Sequence, residues 1–184
     1  RAVVLTYFAC GPDSFANPFF KDEIGEPCYV MQIDEHTADA GVITRMEAFA
    51  DTAAGKNGAT KHVIRTDDTP ITALHGKRLW LPNACRGAEA FAAAMRAFGI
   101  DAAPLPRSPD PGLNRARRAI SEDVCLPMLV TTQDILERVA SPDFDPAKEA
   151  FFQGQSEGPC RFGMYYMLQK RILDKMGVDD AALG

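Results

Sequence analysis

Long apolar runs, a signal peptide and basic stripes are all missing from this chain of 184 residues. Without an apolar run long enough to cross a bilayer, a membrane-spanning segment is not expected, and nothing in the sequence resembles a signal peptide. The formal net charge of −5, with no basic stripe carrying interleaved aromatics, argues against a nucleic-acid surface. We therefore expect a cytoplasmic protein with neither membrane nor nucleic acid as a partner.

The common nucleotide-binding and hydrolase motifs are missing as well. The sequence has no Gly-x-x-x-x-Gly-Lys-Ser/Thr, no Gly-x-Gly-x-x-Gly after a strand and no Gly-x-Ser-x-Gly. The chain by itself is therefore not expected to hydrolyse ATP. It begins at Arg1 rather than at a methionine, from which we expect a processed or excised piece of a longer protein.

Cysteine is present, but not in the usual redox or zinc patterns. No Cys-x-x-Cys occurs, which weakens a thiol redox function, and none of the common zinc spacings is found. An odd number of cysteines, in a chain with enough apolar residues for a core, favours free thiols or metal ligands in a reducing compartment. The five are Cys10, Cys28, Cys85, Cys125 and Cys160.

Strand-like and helix-like stretches alternate along the chain, which predicts an α/β fold with parallel sheets flanked by helices. We expect a doubly wound arrangement in two small α/β halves. The first half is predicted over residues 1–54, a linker or excursion over 55–75, and the second half over 76–184. In the helix predicted over 42–53, the residues expected to face inward are Ile43, Met46, Phe49 and Ala50.

Three cysteines lie at predicted junctions between elements. Cys10 follows the strand of residues 2–9, Cys125 starts a helix with Pro127 in its first turn, and Cys160 lies between a strand ending at 150–152 and the last helix. A helix N-terminus favours an anionic sulfur, so a thiolate ligand or reactive thiol suits these positions. The three form one candidate metal or iron–sulfur site; the alternative is that they are small apolar residues packed under helix starts.

Two polar clusters are weaker candidates for a functional site: one for carboxylate–histidine chemistry and one for binding a small acidic ligand. Residues 34–36, Asp-Glu-His, follow the second predicted strand, but neighbouring residues alternate faces, and a turn role for Asp34 and Thr37 is the simpler interpretation. The three arginines of residues 115–118 could hold a small acidic ligand, although such side chains on a short helix usually form a solvated face.

Six sequence motifs, spread over nearly the whole chain except residues 55–74, carry a family resemblance. They are Cys-Gly-Pro-Asp-Ser-Phe (10–15), Ile-Asp-Glu-His-Thr-Ala-Asp-Ala-Gly (33–41), Thr-Arg-Met-Glu-Ala-Phe (44–49), Glu-Asp-Val-Cys-Leu-Pro (122–127), Thr-Thr-Gln-Asp (131–134) and Gly-Pro-Cys-Arg-Phe-Gly-Met-Tyr (158–165). The chain resembles the 2-hydroxyacyl-CoA dehydratase subunits, and more closely the dehydratase-like region of the large activase-related proteins, which also contain activator-like ATPase domains. The first and last motifs are the most specific.

The resemblance implies a [4Fe–4S] cluster held by three cysteines and supplied with an electron by an ATP-driven activator. In the family the electron reaches a CoA thioester and permits loss of an unactivated hydroxyl through a ketyl radical. The implied ligands are Cys10, Cys125 and Cys160, whereas Cys28 and Cys85 match no position. The supporting residues next to the ligands would be Gly11, Pro12, Asp34, Glu35, Gly158, Pro159 and Arg161.

One departure from the family concerns the order of the ligands. In the dehydratase subunits, cysteines of the Cys125 and Cys160 type precede the Cys10 type, and here the order is reversed. The chain could thus hold one complete site or parts of two, and a cluster with an open position is easily lost in air. We expect an anaerobe-type electron-transfer domain, inactive alone, that works with an activator ATPase domain or the rest of its polypeptide. The alternative is a metal-free structural domain that docks an activator or partner subunit.

Overall fold

The computed structural model describes residues 1–6, 11, 13–54, 74, 76–83, 85–120, 124–156, 160–178 and 182–183. The chain divides into two compact units, Arg1–Arg65 and Thr66–Gly184. Each unit contains parallel strands and helices, which confirms the predicted α/β class with two small halves. Of the linker predicted over residues 55–75, the structure describes residue 74 alone, so the linker stays a prediction.

The first unit is built from two strands and two helices that alternate. They are β1 (Ala2–Thr6), α1 (Asp13–Ile24), β2 (Cys28–Gln32) and α2 (Asp39–Ala54). The two strands are parallel, with Ala2 opposite Cys28 and Thr6 opposite Gln32. Helix α1 ends before Gly25, whose φ of 62° is in the left-handed region that suits a helix end. Because the two strands are parallel, their carboxyl ends lie at the same edge of the sheet.

Helix α2 is less buried than its periodicity predicts. Phe49 is half-buried and its ring stacks on that of Tyr29, 5.6 Å away between centroids. The inward positions predicted for Ile43 and Ala50 are wrong, because Ile43 is 56% exposed and Ala50 is also exposed. A two-stranded sheet is too narrow to cover the whole apolar side of a helix of 16 residues. Periodicity identifies the face, but the width of the sheet decides how much of it is covered.

Gly41 in the first turns of α2 offers a stabilising substitution. A Cβ at this position would meet no atom within 4 Å, and alanine loses less backbone entropy on folding than glycine. We expect Gly41→Ala to raise the free energy of unfolding by about 0.5–1 kcal/mol. Gly25→Ala is the matched control and should destabilise the protein, because its φ is positive. Urea unfolding followed by far-UV circular dichroism measures both, and a loss of stability in Gly41→Ala would contradict the expectation.

The second unit contains the remaining described elements. They are β3 (Arg78–Leu81), α3 (Cys85–Ala97), β4 (Ala102–Pro104), α4 (Asn114–Ala119), α5 (Leu126–Val139), β5 (Glu149–Phe151), a 3-10 helix (Arg161–Met164), α6 (Tyr165–Lys175) and β6 (Ala182–Leu183). The helix predicted to start at Cys125, the strand predicted to end at 150–152 and the predicted last helix correspond to α5, β5 and α6. Within the described ranges, no helix combines the length and the apolar content that crossing a membrane requires.

All strands of the second sheet are parallel, in the order β4-β3-β5-β6. Side chains of β3 alternate between two cores. Leu79 and Leu81 pack with Ala92 of α3, while Trp80 packs against a cluster that includes Ile135 of α5 and Leu173 of α6. Helices thus cover both faces, as in doubly wound sheets, and the chain reverses its direction across the sheet between β3 and β5. A helix that leads into a strand of a parallel sheet runs in the direction opposite to the strand. Helices α5 and α6 lead into β5 and β6, so both begin at the edge where the strands have their carboxyl ends.

Candidate functional site

Cys125 is held at the start of α5 by the helix itself. It is the N-cap residue, with φ −69° and ψ 149°, and its carbonyl accepts hydrogen bonds from the N–H groups of Met128 and Leu129 at 3.0 and 3.3 Å. Pro127 lies in the first turn, as the sequence predicted. The thiol makes no capping hydrogen bond and is half-buried, so its sulfur is available for another contact.

That contact is the hydroxyl of Tyr165, at the start of α6. The Cys125 Sγ and Tyr165 Oη atoms are 2.6 Å apart, although the residues are 40 positions apart in sequence. Tyr165 is 3% exposed, and the ring of Phe162 packs edge-on against it with centroids 5.4 Å apart. The contact thus joins the beginnings of two helices at the carboxyl edge of the sheet.

We call Cys125, Cys160 and Tyr165 the thiol–phenol cluster, because both cysteines influence the Tyr165 hydroxyl electrostatically. Cys160 is exposed, has extended backbone angles and directly precedes the 3-10 helix that leads into α6. Its carbonyl accepts a hydrogen bond from the N–H of Gly163 at 3.3 Å. The predicted place of Cys160, in a turn between β5 and the last helix, is correct, although β5 ends at Phe151 rather than at residue 152.

The electrostatics of the cluster are centred on the phenol. Burial raises the pKa of Tyr165 well above its ordinary value; the hydrogen bond with Cys125 and the electrostatic influence of Cys125 and Cys160 raise this pKa further. The charge of Arg161 acts in the opposite direction. Because the phenol keeps its proton at neutral pH, it is the donor to Cys125 whenever that sulfur is ionised. Two sulfurs and a cationic side chain therefore act on one buried hydroxyl.

No family model, curated protein or solved structure matches this chain. The thiol–phenol cluster must therefore be interpreted from its own chemistry. Among the residues that the structure describes, no group of three histidine, cysteine, aspartate or glutamate side chains is placed to hold a metal ion. Cys10, the third predicted ligand, is not among the described residues.

The supporting residues predicted from the sequence fall into two groups. Pro12, Gly158 and Pro159 lie outside the described residues, like Cys10. Gly11 is half-buried with a φ of 69°, so the turn after β1 uses the conformational freedom of glycine. Arg161 is half-buried, and its positive charge acts on the Tyr165 hydroxyl.

Asp34 and Glu35 lie in a turn after β2 in the first unit. The Asp34 carboxylate accepts hydrogen bonds from the His36 N–H at 2.8 Å and from the Thr37 hydroxyl at 2.9 Å. The Asp34 N–H donates to the Thr37 hydroxyl oxygen at 2.8 Å. This is the turn role that the sequence favoured for Asp34 and Thr37, while a supporting role for Asp34 and Glu35 beside a cluster stays a prediction.

Sequence reasoning missed Tyr165 and its neighbour one turn later, Gln169. The Gln169 amide donates to the hydroxyl oxygens of Thr131 and Thr132 of α5 at 3.1 and 3.4 Å, and its own oxygen is buried without a partner among the described residues. Tyr165 and Gln169 are four residues apart and share one helix face. The sequence signal was the spacing of these two polar side chains, which lie four residues apart on one face of the helix that follows Cys160.

The arginines of residues 115–118, which the sequence offered as a possible anion site, are engaged locally. The Arg115 guanidinium pairs with Glu137 at 3.1 Å, and the Arg117 guanidinium donates to the Gly112 carbonyl at 3.0 Å. Hydrogen bonds from Asn114 and Gly112 lower the pKa of the Asp110 carboxyl, and the charge of Arg118 adds to this effect. These contacts favour the solvated-face interpretation of α4.

Proposed function

We propose that this chain is an iron–sulfur-binding domain of the 2-hydroxyacyl-CoA dehydratase type, from a larger activase-related protein. Its role would be ATP-linked, low-potential electron transfer in the cytoplasm of an anaerobe. The observation that carries the proposal is the contact between Cys125 and Tyr165, because Tyr165 follows Cys160 by five residues and the contact brings together two motifs that are distant in sequence. The resemblance of the motifs supplies the rest of the proposal.

The donor chemistry of the thiol–phenol cluster fits this group. Iron–sulfur clusters are held by thiolates, and neither described cysteine of the cluster is in a disulfide. Cys125 is half-buried and Cys160 is exposed, so both sulfurs lie where a cofactor could reach them. Cys125, Cys160 and, on its motif alone, Cys10 would hold a [4Fe–4S] cluster. When bound, such a cluster would supply single electrons at low potential.

The residues around the sulfurs have separate tasks in this proposal. The Tyr165 hydroxyl would donate to Cys125, which reduces the negative charge on that ligand, and Arg161 would lower the net negative charge nearby. The ATPase activity would come from an activator domain or from the rest of the polypeptide, and a CoA thioester would be bound only by the full protein. We expect the chain alone to catalyse no dehydration.

Anaerobic reconstitution with iron and sulfide tests the proposal. We expect about four irons per chain in the wild type, and loss of iron in Cys10→Ser, Cys125→Ser and Cys160→Ser. Cys28→Ser is the matched control, because Cys28 is a half-buried residue of β2 in the first unit with no proposed ligand role. Far-UV circular dichroism and Trp80 fluorescence check that each variant is folded. Wild-type iron content in both Cys125→Ser and Cys160→Ser would overturn the proposal.

The metal-free docking domain is the second candidate, and the first unit supplies the observation that favours it. Leu5 of β1 is 62% exposed and Ile43 of α2 is 56% exposed, and a partner that docks on the first unit would remove such apolar side chains from water. A colourless protein after anaerobic reconstitution, with no bound iron in the chain or in a longer form of it, would favour this candidate.

A further inference from the structure

The second unit has a cleft of about 480 Å³ outside the carboxyl ends of β3 and β4. Ligands of parallel α/β sheets bind outside this edge, so the position alone makes the cleft a candidate site. None of its lining residues belongs to the thiol–phenol cluster. The lining residues are Asn83, Arg86, Glu89, Pro104, Leu105 and Arg107.

Hydrogen bonds fix the floor of the cleft. The Asn83 side-chain amide donates to the Leu105 carbonyl at 2.8 Å, and the Leu105 N–H donates to the Leu81 carbonyl at 2.8 Å, so the ends of β3 and β4 are joined. Leu105 itself is 1% exposed. The Ser108 N–H donates to the buried Asp134 carboxylate at 2.8 Å, which anchors the loop just after Arg107. A site with a fixed backbone loses little entropy when it binds a ligand.

The described lining residues of the cleft carry more positive than negative charge. Arg86 lies in the first turn of α3 and Arg107 on the loop after β4, and both are exposed. Within the described part of the chain, neither guanidinium forms a hydrogen bond or an ion pair, although the charge of Arg107 acts on Asp134. Arg78, in contrast, pairs with Asp101 at 3.0 Å. Among the lining residues that the structure describes, Glu89 is the one carboxylate.

We infer that this cleft binds a small phosphate-bearing molecule. Arg86 and Arg107 approach it from two different elements, and a tetrahedral phosphate accepts hydrogen bonds from several directions, whereas a planar carboxylate is matched by one guanidinium fork. Helix α3, with 13 residues, begins at the cleft, and its free N–H groups and dipole add to the attraction for an anion. This inference is independent of the proposed iron–sulfur site.

Calorimetric titration of the isolated chain with inorganic phosphate, and then with glycerol phosphate, tests the inference at constant ionic strength, with acetate as the control anion. We expect saturable binding of the phosphates and much weaker binding of acetate. Arg86→Gln and Arg107→Gln should each weaken phosphate binding about tenfold or more, because each removes a charged hydrogen-bond donor. Tighter binding of glycerol phosphate than of inorganic phosphate would identify an organic phosphate ester as the ligand class, and equal binding would restrict recognition to the phosphate group.

Two further variants make the test specific. Glu89→Gln should strengthen phosphate binding, because it removes the lining carboxylate, while Arg115→Gln, which removes a paired arginine on α4, should leave binding unchanged. Trp80 fluorescence and far-UV circular dichroism check that each variant is folded. No saturable binding of either phosphate would overturn the inference, and so would wild-type affinity in the Arg86→Gln/Arg107→Gln double variant.

Discussion

Arg138→Met is expected to lower the free energy of unfolding of the second unit by about 3–5 kcal/mol at neutral pH, the usual cost of removing one partner from a buried ion pair. Arg138 binds the Glu149 carboxylate through two hydrogen bonds of 2.5 and 2.7 Å. The two side chains are 16% and 8% exposed. Without the guanidinium, Glu149 would keep a buried negative charge that only N–H donors stabilise, from Trp80 at 2.5 Å and Asp145 at 3.3 Å.

The double variant Arg138→Met/Glu149→Gln is the control for this prediction. It removes both charges and keeps an oxygen that can accept the hydrogen bond from Trp80, so it should recover much of the lost stability. Guanidinium unfolding followed by far-UV circular dichroism compares the three proteins. If the single and double variants were equally destabilised, the loss would come from packing of Arg138 over the Trp80 ring, 5.3 Å from its centroid, and not from the unpaired charge.

The effect of Arg138→Met should also depend on pH. Burial raises the pKa of Glu149, but the hydrogen bonds from Arg138 and Trp80 outweigh it and hold this pKa below its ordinary value of 4.5. A lowered pKa adds stability above the unfolded-state pKa, and this contribution is lost as the pH falls through the folded-state pKa. In the variant, burial dominates and protonation relieves the charge. The stability difference between the two proteins should therefore be largest near pH 7 and shrink below pH 4.5.

Gly163→Ala is expected to destabilise the second unit by about 1–3 kcal/mol, because a new methyl group has no room in a packed interior. A Cβ at this buried position would overlap the carbonyl oxygen of Ser156 and lie 3.1 Å from the carbonyl carbon. The obstacle is backbone, so residues near 156 must shift. Cys160, whose carbonyl is bonded to the Gly163 N–H, would move with them.

The measurement is guanidinium unfolding together with iron content after anaerobic reconstitution. Gly154→Ala is the matched control, since its Cβ would contact only the Phe162 ring, at 3.3 Å, and a ring at the surface can turn aside. If iron binds as proposed, Gly163→Ala should lose iron although every cysteine is intact, while Gly154→Ala should retain it. Wild-type stability in Gly163→Ala would contradict the close approach of Gly163 to Ser156.

The sequence predicted the start of a helix and the fold class correctly, because both depend on residues that are close together in the chain. The start of α5 at Leu126 follows from Cys125 and Pro127, which the sequence placed at the beginning of this helix. The alternation of strands and helices was sufficient for the α/β class, because hydrophobic periodicity and turn residues are properties of short segments. By the same rules, the sequence alone determined that Cys125 and Cys160 precede helices.

Tertiary structure decided what lies beside those cysteines. The contact of Cys125 with Tyr165 requires the starts of α5 and α6 to lie close together. The distance between two helices cannot be predicted from the residue pattern within either helix. The cleft of Arg86 and Arg107 likewise depends on β4 pairing with β3, which brings a helix start and a distant loop together. The exposure of Ile43 was mispredicted for the same reason. Periodicity determines which side chains share a face, but only the packed sheet decides which faces are covered and which groups meet.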